Sequence, residues 1–186
     1  VGIIKISFVA AIMLMTSACA TLMNSATGKM ADNLTLAILN QGDLETVRSG
    51  APAYLLMIDG LIQGSPDDSD LLLAGSKLYS SYTSAFIDDP ERARRMSRKS
   101  FEYATRAVCA DLERLCTAME GQTDEFRDAV AGVQGKNLPL VYGLATAWTG
   151  WLQANSDDWN AVIDLPRLRL LFERCLELDE RFDGGG

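Results

Sequence analysis

The chain has 186 residues, with 17 basic against 25 acidic side chains for a net charge of −8, and no histidine. Without histidine, the usual general base of a serine or cysteine triad and the commonest metal ligand are missing, and the acidic excess opposes nucleic acid, whose phosphates need Lys and Arg. At 48% apolar and 23% charged residues, the composition is that of about one globular domain with chain enough for a core, neither disordered nor collagen-like.

The N-terminus reads as an export signal. Lys5 precedes an apolar run from Ile6 to Met15, and the small residues Thr16, Ser17 and Ala18 follow. That is the order of charge, apolar stretch and cleavage site in a secretory signal. The run is too short for a bilayer-spanning helix, which needs about 20 residues. Cys19 after Ser17-Ala18 resembles a bacterial lipobox, with Thr16 where that box usually has Leu. The pattern predicts a lipoprotein signal peptide over 1–18, lipidation of Cys19, a small and polar tether over 19–29, and a folded domain over 30–186. The competing reading is an ordinary cleaved signal or a simple anchor helix. Ala20 rather than Asp follows the cysteine, which by the lipoprotein sorting pattern favours a periplasm-facing position anchored in the outer membrane.

Helical periodicity dominates the rest. Leu34, Ala37 and Ile38 predict a helix over Met30 to Asn40, interrupted by Gly42-Asp43. A short turn over Asp43 to Arg48 is expected to stop at Ser49-Gly50, with Pro52 in the first turn of a new helix carrying Tyr54, Met57, Ile58, Leu61 and Ile62. Gly64-Ser65-Pro66 ends it, and Asp67, Asp68 and Ser69 offer caps for the next. There Leu71, Ala74, Leu78, Tyr79, Tyr82, Ala85 and Phe86 trace an apolar stripe. Asp88-Asp89-Pro90-Glu91 restarts a helix with Ala93, Met96, Ser100, Ala104, Ala107 and Val108 inward. The basic run Arg92, Arg94, Arg95, Arg98 and Lys99 reads as its solvated face, or else as a patch for an acidic partner. A short helix is expected from Asp124 to Ala131, then a loop over Gly132 to Asn137. Leu138 to Ala154 is apolar nearly all round and predicts a buried central helix, with Gly143 and Gly150 permitting close helix contact. Pro166 opens a final helix with Leu168, Leu171, Cys175 and Leu178 in register. Strand alternation is missing, so the expected fold is all-α.

The segments from Leu71 to Phe86 and from Pro90 to Val108 form a helical hairpin. Small residues at its crossing (Ala74, Gly75, Ala93, Ala104) and aromatics at Tyr79, Tyr82 and Tyr103 echo tetratricopeptide composition without a kept period. Such hairpins must stack to bury their stripes, which predicts a solenoid-like array of antiparallel hairpins. The Pro166 helix has no second helix after it, so the array is expected to be incomplete at its C-terminus or covered by a partner.

Cys109 and Cys116 are seven residues apart. On one straight helix they would stand about 10 Å from each other, beyond the ~7 Å limit of a disulfide. In an oxidising periplasm, nearby cysteines seldom stay free, so a helix break near Asp111 to Arg114 closing a Cys109–Cys116 bridge is predicted, against two separate core thiols. Cys175 reads as a buried small hydrophobe. Spacing and the missing histidine argue against a metal site. Trp148, Trp151 and Trp159 gather near the acidic turn Asp157-Asp158 and could form an aromatic wall for a ligand or partner, with Asp157, Asp158 and Asn160 at its rim. The alternative is a packed core in which Asp157 or Asp158 caps the Trp159 turn.

Three stretches look alike to one family: Arg48-Ser49-Gly50-Ala51-Pro52-Ala53-Tyr54 through Gly64-Ser65-Pro66, the Asp88-Asp89-Pro90-Glu91-Arg92-Ala93 restart, and Tyr142-Gly143-Leu144-Ala145-Thr146-Ala147-Trp148 through Ser156-Asp157-Asp158-Trp159-Asn160-Ala161. Together they resemble the TatT component of TRAP transporters, periplasmic lipoproteins built from degenerate tetratricopeptide-like hairpins. The resemblance covers most of the chain after Cys19, and Ser156 to Asn160 is its most specific piece. It implies a non-enzymatic, cofactor-free accessory protein that docks the periplasmic solute-binding protein of the transporter and passes ligand through an apolar cavity. It further implies a homotrimer and a hydrophobic or organic-acid ligand. The alternative is a general cell-envelope scaffold lipoprotein of tetratricopeptide type, binding protein segments. An envelope hydrolase would need a nucleophile and base that cannot be assembled here without histidine.

Overall fold

The computed structural model describes residues 40–185. The signal peptide over 1–18, Cys19, the tether over 19–29 and nearly all of the helix expected from Met30 to Asn40 lie outside the described residues. The chain divides between Val47 and Arg48 into two compact units. Of the first, only its last residues are described. There Asp43 accepts from the Glu45 N–H at 3.0 Å and from the Thr46 hydroxyl at 2.7 Å, opening a helix as a side-chain cap does.

The described residues are mostly helical, with no strand among them. The helices are α1 (Leu44–Gly64), α2 (Ser69–Phe86), α3 (Pro90–Asp111), α4 (Glu113–Glu120), α5 (Thr123–Ala131), α6 (Leu138–Ala154), α7 (Trp159–Val162) and α8 (Leu165–Leu178), with 3-10 turns at Gly135–Asn137 and Phe182–Gly185. Side-chain caps start two of the long ones. Asp68 accepts from the Leu71 N–H at 3.0 Å and Asp89 from the Arg92 N–H at 2.7 Å, each relieving an orphan donor of a first turn. Before α5, Glu125 reaches back to the Gln122 N–H at 3.1 Å.

Two helices expected around Ser49-Gly50 are instead one, α1, with Pro52 inside it. A proline there cannot donate to the carbonyl four residues back, and that carbonyl belongs to Arg48. The Tyr82 hydroxyl donates to the Arg48 carbonyl at 3.2 Å in its place. A tertiary hydrogen bond thus stands in for the missing helical one, and the helix runs on. Its inward residues are Ala51, Leu55, Ile58 and Ile62, a heptad-like spacing along one face.

Helices α2 and α3 form the hairpin with the most extensive packing. They are antiparallel: Ser69 at the start of α2 donates to Asp111 at the end of α3, while Ser76 and Ser80 meet Ser100 midway. The buried face of α2 is Leu72, Leu73, Gly75, Ser76, Tyr79 and Tyr82. That is rotated from the expected stripe: Leu71, Ala74 and Leu78 are only half-buried and Ala85 is exposed. The rotation follows from close approach. A Cβ at Gly75 would lie 2.8 Å from Ile62 Cδ1 and 3.1 Å from Tyr103 Cδ2, so only glycine lets α1 and α3 come this near without a shift. The serines buried by the same approach bond one another, and Ser100 also donates to the Ser76 carbonyl at 2.8 Å.

Helix α6 occupies the residues expected of it and is central, packing on α2, α3 and α8. It buries Leu140, Val141, Leu144, Ala145, Ala147 and Trp148 among others. Of its two glycines, Gly143 faces a tight contact, since a Cβ there would collide with Leu73 Cδ1. Gly150 does not; a Cβ there meets nothing within 4 Å, and the expected close contact is not made. Near the other end of α6, Arg94 of α3 donates to the Ala154 carbonyl at 3.1 Å. Helix α8 turns Leu168, Leu171 and Cys175 inward, and Leu178 is half-buried.

Candidate functional site

Positions 101, 105 and 109 of α3 are four residues apart and share one face. Opposite them, Trp148 and Trp151 stand one turn apart on α6. The chain between α3 and α6 closes a third side: α3 stops at Asp111, Leu112 leaves helical geometry at φ −130° and ψ 62°, and α4 starts at Glu113. This corner brings Cys109 and Cys116 into a disulfide with Cα atoms 4.8 Å apart. The result is a cleft of about 290 Å³ whose walls include Phe101, Thr105, Met119, Trp148 and Trp151, with Asp164 and Arg167 at the start of α8.

The aromatic wall is continuous. The Phe101 ring stacks on Trp151 at 5.7 Å and lies tilted against Trp148 at 5.2 Å, and Phe126 meets Trp148 edge-on at 6.3 Å. Arg167 is fixed beside it. Its guanidinium donates to the carbonyls of Met119 at 2.6 Å and Gly121 at 2.5 Å, and lies 5.5 Å from the Phe126 ring centre. Asp164 stands 4.0 Å from the Arg167 Nε. Burial pushes the Asp164 carboxyl above its ordinary range, with Arg167 opposing the shift. Two polar atoms of the wall, Thr105 Oγ1 and Trp148 Nε1, are buried without a hydrogen-bond partner.

The predicted tryptophan cluster is therefore split. Trp148 is buried at 3% exposure and Trp151 is half-buried in the same wall, while Trp159 is 81% exposed and does not line the cleft. Trp159 belongs to α7, and Ile163 (71%) and Leu165 (50%) flank Asp164 in the chain just after it. Asp157 accepts from Arg94 at 2.7 Å and fastens the turn after α6 to α3. The Asp158 carbonyl accepts the Ala161 N–H at 3.0 Å, so its backbone holds the α7 turn. The Asn160 side chain lies outside the described residues. The cysteine bridge borders the cleft, and Cys109 also lines a more open hollow of about 380 Å³ with Asp67, Arg106 and Ala110.

A second polar cluster joins α1, α2 and α3. Asp59 accepts from the Tyr103 hydroxyl at 2.7 Å, from the Tyr79 hydroxyl at 2.9 Å and from Lys99. The ammonium lies 4.9 Å from the Tyr79 ring centre and 5.6 Å from that of Tyr103. Burial would raise the Asp59 carboxyl, but the bonds from Lys99, Tyr103 and Tyr79 outweigh it and hold the group below its ordinary range. Burial and the Asp59 carboxylate together push the Tyr103 hydroxyl up to about 12. The expectation of a solvated basic run thus fails at Lys99, which turns inward to this carboxylate, and at Arg94, which pairs with Asp157; Arg92, Arg95 and Arg98 are exposed.

Sequence reasoning missed Asp59 and Lys99 because each looks like an ordinary charge on a helix edge. The available signal was spacing: Lys99 and Tyr103 lie four apart on one face, and Asp59 follows the inward Ile58. Asp164 and Arg167 were missed because nothing local marks a carboxylate that only tertiary packing buries. Among the described residues, no group of three or more His, Cys, Asp or Glu could hold a metal ion.

The described residues form an all-helical fold with an aromatic-walled cleft. The TAtT family model, TRAP transporter T-component, matches residues 40–186, and the chain belongs to that family. No curated protein matches it. Membership makes it an accessory component of a TRAP transporter, a role that is not catalytic, and associates it with that transporter and with the cell envelope. No helix among the described residues is long and apolar enough to cross a membrane.

Proposed function

We propose that the protein docks the solute-binding component of its TRAP transporter through the face around α7 and holds a ligand of that system in the Trp148–Trp151 cleft beside it. The observation that carries docking is the exposure of Trp159, Ile163 and Leu165 within one short stretch of chain. Clustered exposed apolar residues mark interaction sites, and tryptophan is the residue most enriched at binding hot spots. The cleft supports the second half: its two tryptophans and Phe101 offer flat apolar walls near the size of small-molecule pockets. The packed hairpins are read as degenerate tetratricopeptide-like units, lipid-anchored through Cys19 on the periplasmic side of the outer membrane, with a homotrimer as the assembly.

Co-purification of the mature domain with a TRAP solute-binding protein tests docking. Trp159→Ala should weaken that complex about 30-fold, the loss of a ~2 kcal/mol hot spot, while leaving the thermal midpoint in place because the side chain is exposed. No recovered complex, or a complex indifferent to Trp159, overturns the reading. Replacing Cys19 by Ser should release the protein from membranes; unchanged membrane association would remove the anchor from the account.

A general envelope scaffold remains the second reading, and the same exposed face favours it equally. It predicts capture of diverse envelope segments with no preference for a solute-binding protein.

A further inference from the structure

Between α3 and α4 the stretch Val108-Cys109-Ala110-Asp111-Leu112-Glu113-Arg114 holds neither glycine nor proline, and local preference alone would carry the helix through it. The chain turns instead at Leu112, a poor N-cap, and α4 starts with no side chain capping its first turn. Two things hold this corner. Leu115 and Ala118 are buried, and the disulfide brings Cys109 and Cys116 to a Cα separation of 4.8 Å, where a continuous helix would leave them about 10 Å apart. A helix of 8 residues with two buried side chains is too short to hold itself together.

The far end of α4 belongs to the cleft. Met119 and Glu120 line it, and the Met119 and Gly121 carbonyls hold the Arg167 guanidinium. Asp111 at the end of α3 accepts from Ser69 of α2 at 2.7 Å, so α3 is fastened and α4 is the side that can move. The bridge is also approachable. Both cysteines are half-buried and line the cleft, and Cys109 borders the more open hollow as well. Cys175 is the opposite case: it is 5% exposed, and burial pushes its thiol up to about 11.

We infer that the Cys109–Cys116 bridge is a redox clamp on the cleft: a dithiol reduces it in the folded protein, and α4 then loosens from the cleft wall together with the carbonyls that hold Arg167. A thiolate of the dithiol, a small molecule or a Cys-X-X-Cys protein, attacks one cystine sulfur and breaks the S–S bond. Its second thiol displaces the first, the dithiol leaves as a disulfide, and Cys109 and Cys116 each end with a proton. Two electrons and two protons pass from dithiol to cystine. Control of ligand retention rests on the proposed ligand-holding role, whereas the clamp is read on the ligand-free chain, so the two can fail separately.

The full chain, native at pH 8, is treated with dithiothreitol and quenched at intervals with iodoacetamide without denaturant, and its cysteines are mapped by peptide mass. Cys109 and Cys116 should take the label while buried Cys175 does not. Their rate should be proportional to dithiothreitol and nearly unchanged by urea below the unfolding transition. Labelling of the pair only together with Cys175, or a rate that climbs steeply with urea, overturns the clamp, because reduction would then need global unfolding. Hydrogen exchange in the reduced protein should be about 50-fold faster in α4, the loop-closure effect of a cross-link at a sequence separation of 7, and unchanged in α6. Equal α4 exchange in both redox forms also overturns it. Joint Cys109→Ser and Cys116→Ser substitution should reproduce the fast α4 exchange; if that variant does not fold, the reduced wild type carries the same measurement.

Discussion

Asp59 and Trp148 both bring polar atoms into an apolar interior, and the two sites treat them in opposite ways. At Asp59 every group has a partner: two tyrosine hydroxyls and an ammonium converge on one carboxylate, and three helices are tied together. At the Trp148 cleft two polar groups are buried and left without partners, near a carboxyl that burial pushes up. A satisfied cluster specifies the fold, whereas an unsatisfied one costs stability and persists where something other than folding uses it. The first region holds helices together, whereas the second leaves buried polar atoms that lower stability.

The sharpest way to break the contrast is to delete one polar group from each side. Asp59→Ala strands the Tyr79 and Tyr103 hydroxyls and Lys99, and should lower unfolding free energy by about 2–3 kcal/mol in urea melts. Asp59→Asn keeps the shape and isolates the charge. Because the folded Asp59 carboxyl titrates below its unfolded value, its contribution is present above the usual carboxylate range near pH 4 and is lost as pH falls through the lower folded value. The stability difference between wild type and Asp59→Asn should therefore stay constant from neutral pH down to about pH 4 and shrink below it. A difference that fades near neutrality would show that the carboxylate is not the acceptor holding the helices.

The smallest effect is expected in the cleft. Thr105→Val removes the orphan hydroxyl at nearly constant volume, so stability should hold or rise by up to about 1 kcal/mol. A loss of more than about 1 kcal/mol in stability would mean the hydroxyl already has a partner, and the two regions would no longer differ.

Helix boundaries were legible where local chemistry marks them. Asp68 and Asp89 before their helices, Pro90 at a first turn, and the unbroken apolar run from Leu138 to Ala154 state starts and ends in the sequence itself. Pro52 was misread because its neighbours Ser49 and Gly50 look like a stop, and the hydroxyl that keeps the helix going comes from Tyr82, thirty-four residues away. The rotated face of α2 was misread for a related reason. Hydrophobicity ranks Leu71 and Leu78 above Gly75 and Ser76, but close helix approach rewards the smaller residues.

By itself, the acidic sequence determined an all-α chain and the places where most helices begin. Those properties depend on composition and on contacts within one turn of helix. Only the tertiary structure decided which charges are interior, which tryptophan of the three is on the surface, and which hydroxyl lacks a partner. Burial and hydrogen-bond satisfaction depend on residues brought together from distant parts of the chain, and no local pattern records them.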